Sequence, residues 1–269
     1  MTARRFVFAI SLVVCLSSIM HAQTTEDELK KRLIGKPLYL RDFWREDQLH
    51  FDGDGKLIGN SGRLSFTLAG VDVRHVHLDA RQLTLEGKRV GVEFKGKAQK
   101  RVVLSIGDQP PYGEEKLSIR IDTPPDGDFK RALDGIFADG LVELAPQLPS
   151  YWQRFARTSL LASQAQPAVP VSPAVRKVGG GVKPPKLLKS LEPQFSLAAH
   201  NLHYPGKVLV NLWLDENGKP SHLSIVSAAG LGLDEQALYA VQQYSVAPAT
   251  MNDKPVSVEL NVEVNFQIY

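Results

Sequence analysis

The chain has 269 residues, 43% of them hydrophobic and 23% charged, a globular composition long enough for two modest domains. Its 32 basic and 29 acidic residues nearly cancel to +3, which argues against a nucleic-acid partner. The single local basic run, residues 95–101 (K-G-K-A-Q-K-R), lies between two strand-like segments, where it decorates a hairpin turn.

At the N-terminus Arg4 and Arg5 precede an apolar run, residues 6–20, and then His21-Ala22-Gln23. A basic start, a short apolar core and a small residue before a polar region read as a secretory signal peptide over residues 1–22, cut after Ala22. The run is shorter than the ~20 apolar residues that span a bilayer, so a short uncleaved membrane anchor is the alternative. Cys15, the one cysteine, lies inside this run, and a cleaved chain has no thiol chemistry.

Residues 24–38 predict an amphipathic helix with Leu29, Leu33 and Ile34 on one side, stopped by Gly35 and Pro37. Strand patterns follow. Leu49-His50-Phe51 leads through the turn Asp52-Gly53-Asp54-Gly55 into residues 56–59, and Leu64, Phe66 and Leu68 alternate with polar neighbours. Residues 82–85 and 90–94 flank Glu86-Gly87-Lys88, and residues 101–106 and 117–121 continue the series. Strands at this spacing with glycine turns predict an antiparallel β-rich domain over residues 24–158, a small barrel or a sandwich. A helix around 128–137, with Phe129, Leu133, Ile136 and Phe137 on one stripe, closes it.

Residues 159–181 lose periodicity and carry Pro167, Pro170, Pro173 and Gly179-Gly180-Gly181, the composition of a flexible linker. Beyond it, residues 190–203 read as a helix or turn with Pro193 in its first turn. Residues 207–215 and 219–227 are strands joined by Asp215-Glu216-Asn217-Gly218. Asp234 is placed to cap a helix running to about Tyr244. The last stretch, from Pro255, alternates without a break: Val256, Val258, Leu260, Val262, Val264, Phe266 and Ile268 against Ser257, Glu259, Asn261, Glu263, Asn265 and Gln267. That is one strand with a buried and a wet face, and as a terminal strand it is a candidate edge. The fold class is therefore α+β: a β-rich first domain and a helix-strand-strand-helix-strand second domain, over residues 182–269, built on a three-stranded antiparallel sheet.

Within that second domain Pro193-Gln194-Phe195, Ala198-Ala199 and Gly206-Lys207-Val208-Leu209-Val210 are followed by Asp215-Glu216-Asn217-Gly218-Lys219-Pro220. Ile225-Val226-Ser227-Ala228-Ala229-Gly230, Leu233-Asp234-Glu235-Gln236-Ala237, Ala247-Pro248-Ala249, Lys254-Pro255-Val256 and Val264-Asn265-Phe266 complete the pattern. In this order and spacing, residues 182–269 resemble the C-terminal domain of the TonB family of energy transducers. The resemblance implies a periplasmic protein of a Gram-negative envelope that binds an extended segment of an outer-membrane receptor by strand addition, with no catalytic residue and no cofactor. It also implies a link to inner-membrane proton-driven motor proteins. The edge implied is the terminal strand: Val256, Val258, Glu259, Leu260, Asn261, Val262, Glu263, Val264 and Asn265. The short apolar run and the folded first domain depart from the family's membrane helix and Pro-rich rod. An exposed terminal strand can also pair with its own copy, making a homodimer.

A second reading makes the first domain enzymatic or metal-binding, with the second as a docking module. His75, His77 and Asp79 share one face of a strand and are of ligand type, although His200, the next histidine, lies in the other domain. Asp52-Gly53-Asp54-Gly55 lacks the spacing and glycine of a calcium loop and reads as a turn. Trp44, Trp152 and Trp213 are scattered, as packing residues are.

Overall fold

The computed structural model describes residues 24–96, 98–107, 113–162 and 175–268. The apolar run at the N-terminus and most of the Pro-bearing stretch, residues 163–174, lie outside them. Helix α1 (Glu26–Leu33) starts on a reciprocal capping box between Thr25 and Glu28 and buries Leu29 and Leu33. Ile34, expected on the same stripe, is exposed because the backbone turns extended at that residue.

The first unit continues through β1 (Leu38–Leu40), β2 (Gln48–Phe51), β3 (Gly70–Leu78), β4 (Gln82–Lys95), β5 (Ala98–Val103), β6 (Lys116–Asp122), α2 (Lys130–Ile136) and β7 (Phe137–Asp139). They form one sheet in the order β2-β6-β4-β3-β1-β7, with β5 alongside the second half of β4. β2 and β6 run parallel, so a mixed sheet replaces the wholly antiparallel barrel or sandwich expected from the strand spacing. The apolar stripes of α1 and α2 share a core with it, where Leu33, Leu83, Ile119, Phe129 and Ile136 are buried together. β4 and β5 pair as a hairpin with Lys95 opposite Ala98, where the sequence places the basic run, and after β2 the Asp52 side chain closes the 52–55 turn by accepting from the amides of Asp54 and Lys56.

Two sequence readings of this unit need correction. Glu86-Gly87-Lys88 is not a turn: β4 runs through it, and a Cβ on Gly87 would lie 2.3 Å from the Asp72 carbonyl of β3. Glycine there admits close backbone approach beside the bulge between Val73 and His75. Residues 64–68 do not form a strand either. They make an irregular loop that carries Leu64 and Phe66 into the core of the second unit.

Short helical turns over residues 141–160 end the first unit and bury Trp152 and Phe155. The second unit holds β8 (Arg176–Lys177), β9 (Lys186–Lys189), α3 (Leu197–Asn201), β10 (Gly206–Leu214), β11 (Pro220–Ser227), α4 (Leu233–Gln242), β12 (Ser245–Ala247), β13 (Ala249–Met251), β14 (Lys254–Val256) and β15 (Val258–Phe266). Pro193 precedes α3 rather than starting it; Ser196 is the cap, its hydroxyl accepting from the Ala199 amide. The three antiparallel strands expected, β15-β10-β11, are extended by β8 on the outside of β15. Small ladders pair β13 with β14 and with Val182–Lys183, and β12 with β9.

The two units are packed as neighbours through shared core. Ile225 and Ala228 of the second are buried with Val92, Phe94, Trp152 and Phe155 of the first. The junction extends to the backbone, where the Phe94 amide donates to the Ala229 carbonyl at 2.9 Å and the Leu231 amide to the Val92 carbonyl at 3.0 Å. Gly230, at φ +88, is required there, since a Cβ would stand 1.8 Å from the Val92 carbonyl.

Candidate docking edge

Strand β15 lies between a fully used edge and a nearly unused one. Against β10 it pairs residue for residue, from Gly206 opposite Phe266 to Leu214 opposite Val258. Alternation aims Val258, Leu260, Val262, Val264 and Phe266 at the helix-covered face. Val258, Val264 and Phe266 are buried, whereas Leu260 and Val262 are only partly covered. On the other face Glu259 meets Arg154 at 3.1 Å, Asn261 accepts from the Asn211 side chain at 2.8 Å, and Glu263 lies 3.4 Å from Lys207. These side-chain pairs engage the wet face without using the outer edge.

That outer edge begins occupied. Val258 and Glu259 pair in parallel with Arg176 and Lys177, and the Arg176 amide donates to the Ser257 carbonyl at 3.0 Å. Gly179, Gly180 and Gly181, all at positive φ, then turn the chain back through a bridge between Gly179 and Val182. The glycines read as flexible spacing therefore make a defined turn. From residue 260 to residue 266 no other strand pairs with this edge among the described residues. The opposite margin of the sheet is different: beyond β11, Ile225 is covered by Trp152 and Phe155 of the first unit.

Not all the residues assigned to the edge lie on it. Val256 belongs to β14 and pairs with Ala249 in a separate hairpin; the alternating stretch breaks at Ser257 and its strand ends at Phe266. Val258 and Glu259 are the positions already paired on both sides, so Leu260, Asn261, Val262, Glu263, Val264 and Asn265 remain, with Phe266, as the open segment. The parallel pair Arg176–Lys177 went unseen in the sequence because two residues carry no periodicity.

His75, His77 and Asp79 do not converge. His75 and His77 are exposed on β3, and His77 Nδ1 lies 3.6 Å from Glu26. The Asp79 carboxylate accepts from the amides of Arg81 and Gln82, which close the β3–β4 turn and hold its pKa below the ordinary value. Among the described residues no group of three or more His, Cys, Asp or Glu is arranged to hold a metal.

Asp234 is not the cap of α4; Gly232 occupies that position in a left-handed conformation. The Asp234 carboxylate instead accepts from the amides of Ala229 and Gly230 at 2.9 and 2.7 Å, inside the junction. Burial, with the charge of neighbouring Glu235, pushes it up to about 7. Glu235 accepts from Thr67, through both amide and hydroxyl, and from the Trp152 indole, so the first turn of α4 is bonded to the first unit. Trp213, half-buried, stacks on His222 at 4.1 Å instead of entering a core.

Residues 192–268 match the family model of the Gram-negative bacterial TonB protein C-terminal. A stretch of 87 residues is 25% identical to Protein TonB of Vibrio cholerae serotype O1 (strain ATCC 39315 / El Tor Inaba N16961), covering 32% of this chain and 36% of that protein. The chain thus spans about a third of the length of that relative. Within the matched residues the chain carries a TonB C-terminal domain.

Proposed function

We propose that this protein binds an extended segment of an outer-membrane receptor, or of another envelope protein, by adding it as a strand to residues 260–266 in TonB-dependent transport. The observation that carries the reading is the half-open edge of β15. Its amides and carbonyls are paired on one side along the whole strand and on the other only at Val258–Glu259. Main-chain bonds along such an edge supply affinity, and alternate side chains supply selectivity. The role is binding, with no chemical step.

The setting that agrees with this role is the periplasm, reached through the signal-like residues 1–22 or faced from an anchor there; coupling to an inner-membrane proton-driven motor requires the anchor. Among the described residues no helix is long and apolar enough to cross a membrane. Disulfide trapping tests the docking. With Cys15 replaced by Ser, Asn261→Cys is expected to cross-link cysteine-bearing peptides copied from periplasm-facing extended segments of the source organism's outer-membrane receptors. His222→Cys, on β11, is expected not to. Equal trapping at both positions, or none at position 261, would refute strand addition at this edge.

A further inference from the structure

Beneath the open part of β15 lies an apolar cavity of about 140 Å³, lined by Leu212, Leu214, Val241, Tyr244, Val246, Leu260 and Val262 and roofed by Pro185 and Leu187. Leu260 and Val262 are the two inward residues of the strand that α4 leaves partly covered, and they are also the first two inward positions past the occupied part of the edge. The gap in the core and the gap in the ladder therefore coincide. The roof is a basic strap: residues 175–189 contain Arg176, Lys177, Lys183, Lys186 and Lys189 and no acidic residue. Lys183 pairs with Asp253, but Arg176, Lys177, Lys186 and Lys189 are exposed and make no ion pair among the described residues. The acidic side chains of the strand itself are already matched, Glu259 by Arg154 and Glu263 by Lys207.

We infer that the segment docking on β15 is acidic and carries one bulky aliphatic or aromatic side chain that enters this cavity. This inference rests on the strand-addition reading and adds the chemistry of the partner. A cavity of this size holds a single hydrocarbon side chain; a comparable engineered void of ~150 Å³ binds benzene. Because side chains of an added strand alternate between faces, only residues of one parity can reach it. The free cations of the strap favour carboxylates on the same segment at low salt.

The probe is a ten-residue synthetic host of alternating threonine and glutamate with one leucine walked through every position, titrated into the isotope-labelled full chain. Leucine at one position, or at two of the same parity, is expected to tighten binding about tenfold over the parent host, the equivalent of ~1.4 kcal/mol. It should also shift the resonances of Leu260, Val262 and Tyr244. A lysine-for-glutamate host should bind more weakly, with the difference shrinking in 0.5 M salt, about a 4 Å screening length. Val246→Phe, which narrows the cavity without touching the edge, should erase the leucine gain and leave the parent host unaffected. If hosts perturb residues 260–266 but leucine changes affinity less than twofold at every position, the cavity inference falls and strand addition stands. If no host perturbs that edge, both fall.

Discussion

Asp234 shows how one side chain is asked to serve a junction. Its two oxygens satisfy the Ala229 and Gly230 amides, which have no water to turn to in the space between the units. Asp234→Asn leaves one of these amides facing an NH2 group, and the loss expected is about 1–3 kcal/mol, read by chemical denaturation. The pH dependence has a definite sign. The folded-state value of about 7 exceeds the ordinary 3.8, so between these the folded protein holds the proton more tightly, and stability falls as pH rises through that window. The deficit of Asp234→Asn against the parent should therefore be larger at pH 5 than at pH 8; a constant deficit would contradict the assignment. Arg89 is a second buried charge, fully enclosed, with Glu115 2.6 Å from its Nε and the Trp44 and Glu46 carbonyls accepting from its terminal nitrogens. Arg89→Met leaves those partners unmatched and should cost about 3–5 kcal/mol in the same assay.

At the scale of elements, the terminal strand was legible because seven apolar residues alternate with six polar ones. What the alternation could not reveal was the break at Ser257, since an apolar residue such as Val256 suits a hairpin as well as a sheet. Helix α1 followed from its stripe and stop and α2 from its stripe, although Phe137, expected on that stripe, opens β7 instead. The loop 64–68 was misread for a physical reason: its apolar residues alternate, yet they are shared between two cores, which is a tertiary demand with no local signature. Gly87 was misread likewise, because a glycine that permits close approach and one that permits a turn look alike in sequence. Trp152, taken as packing, packs where no pattern could place it, against Phe94 and Phe155 and hydrogen-bonded to Glu235. Trp152→Ala should cost about 3–5 kcal/mol and speed proteolysis near residues 141–160, measured by limited digestion with intact-mass analysis.

For the whole molecule, the shared core matters more than the boundary between units. With Phe66, Leu104, Trp152 and Phe155 removed, residues 182–269 alone would expose Ile225, Leu231 and the margin of β11. That isolated segment should self-associate in sedimentation experiments at concentrations where the full chain does not, since an uncovered sheet margin invites pairing. The first unit thus covers one side of the TonB-like sheet and leaves the outer edge of β15, where docking is proposed, uncovered by any strand past Glu259 among the described residues. The most direct test is amide hydrogen exchange across the full chain, with and without the receptor-segment peptides. Docking predicts new protection confined to residues 260–266 and their β8 neighbours, with β11 unchanged; protection centred on β11 or the first unit, with residues 260–266 unaffected, would contradict it.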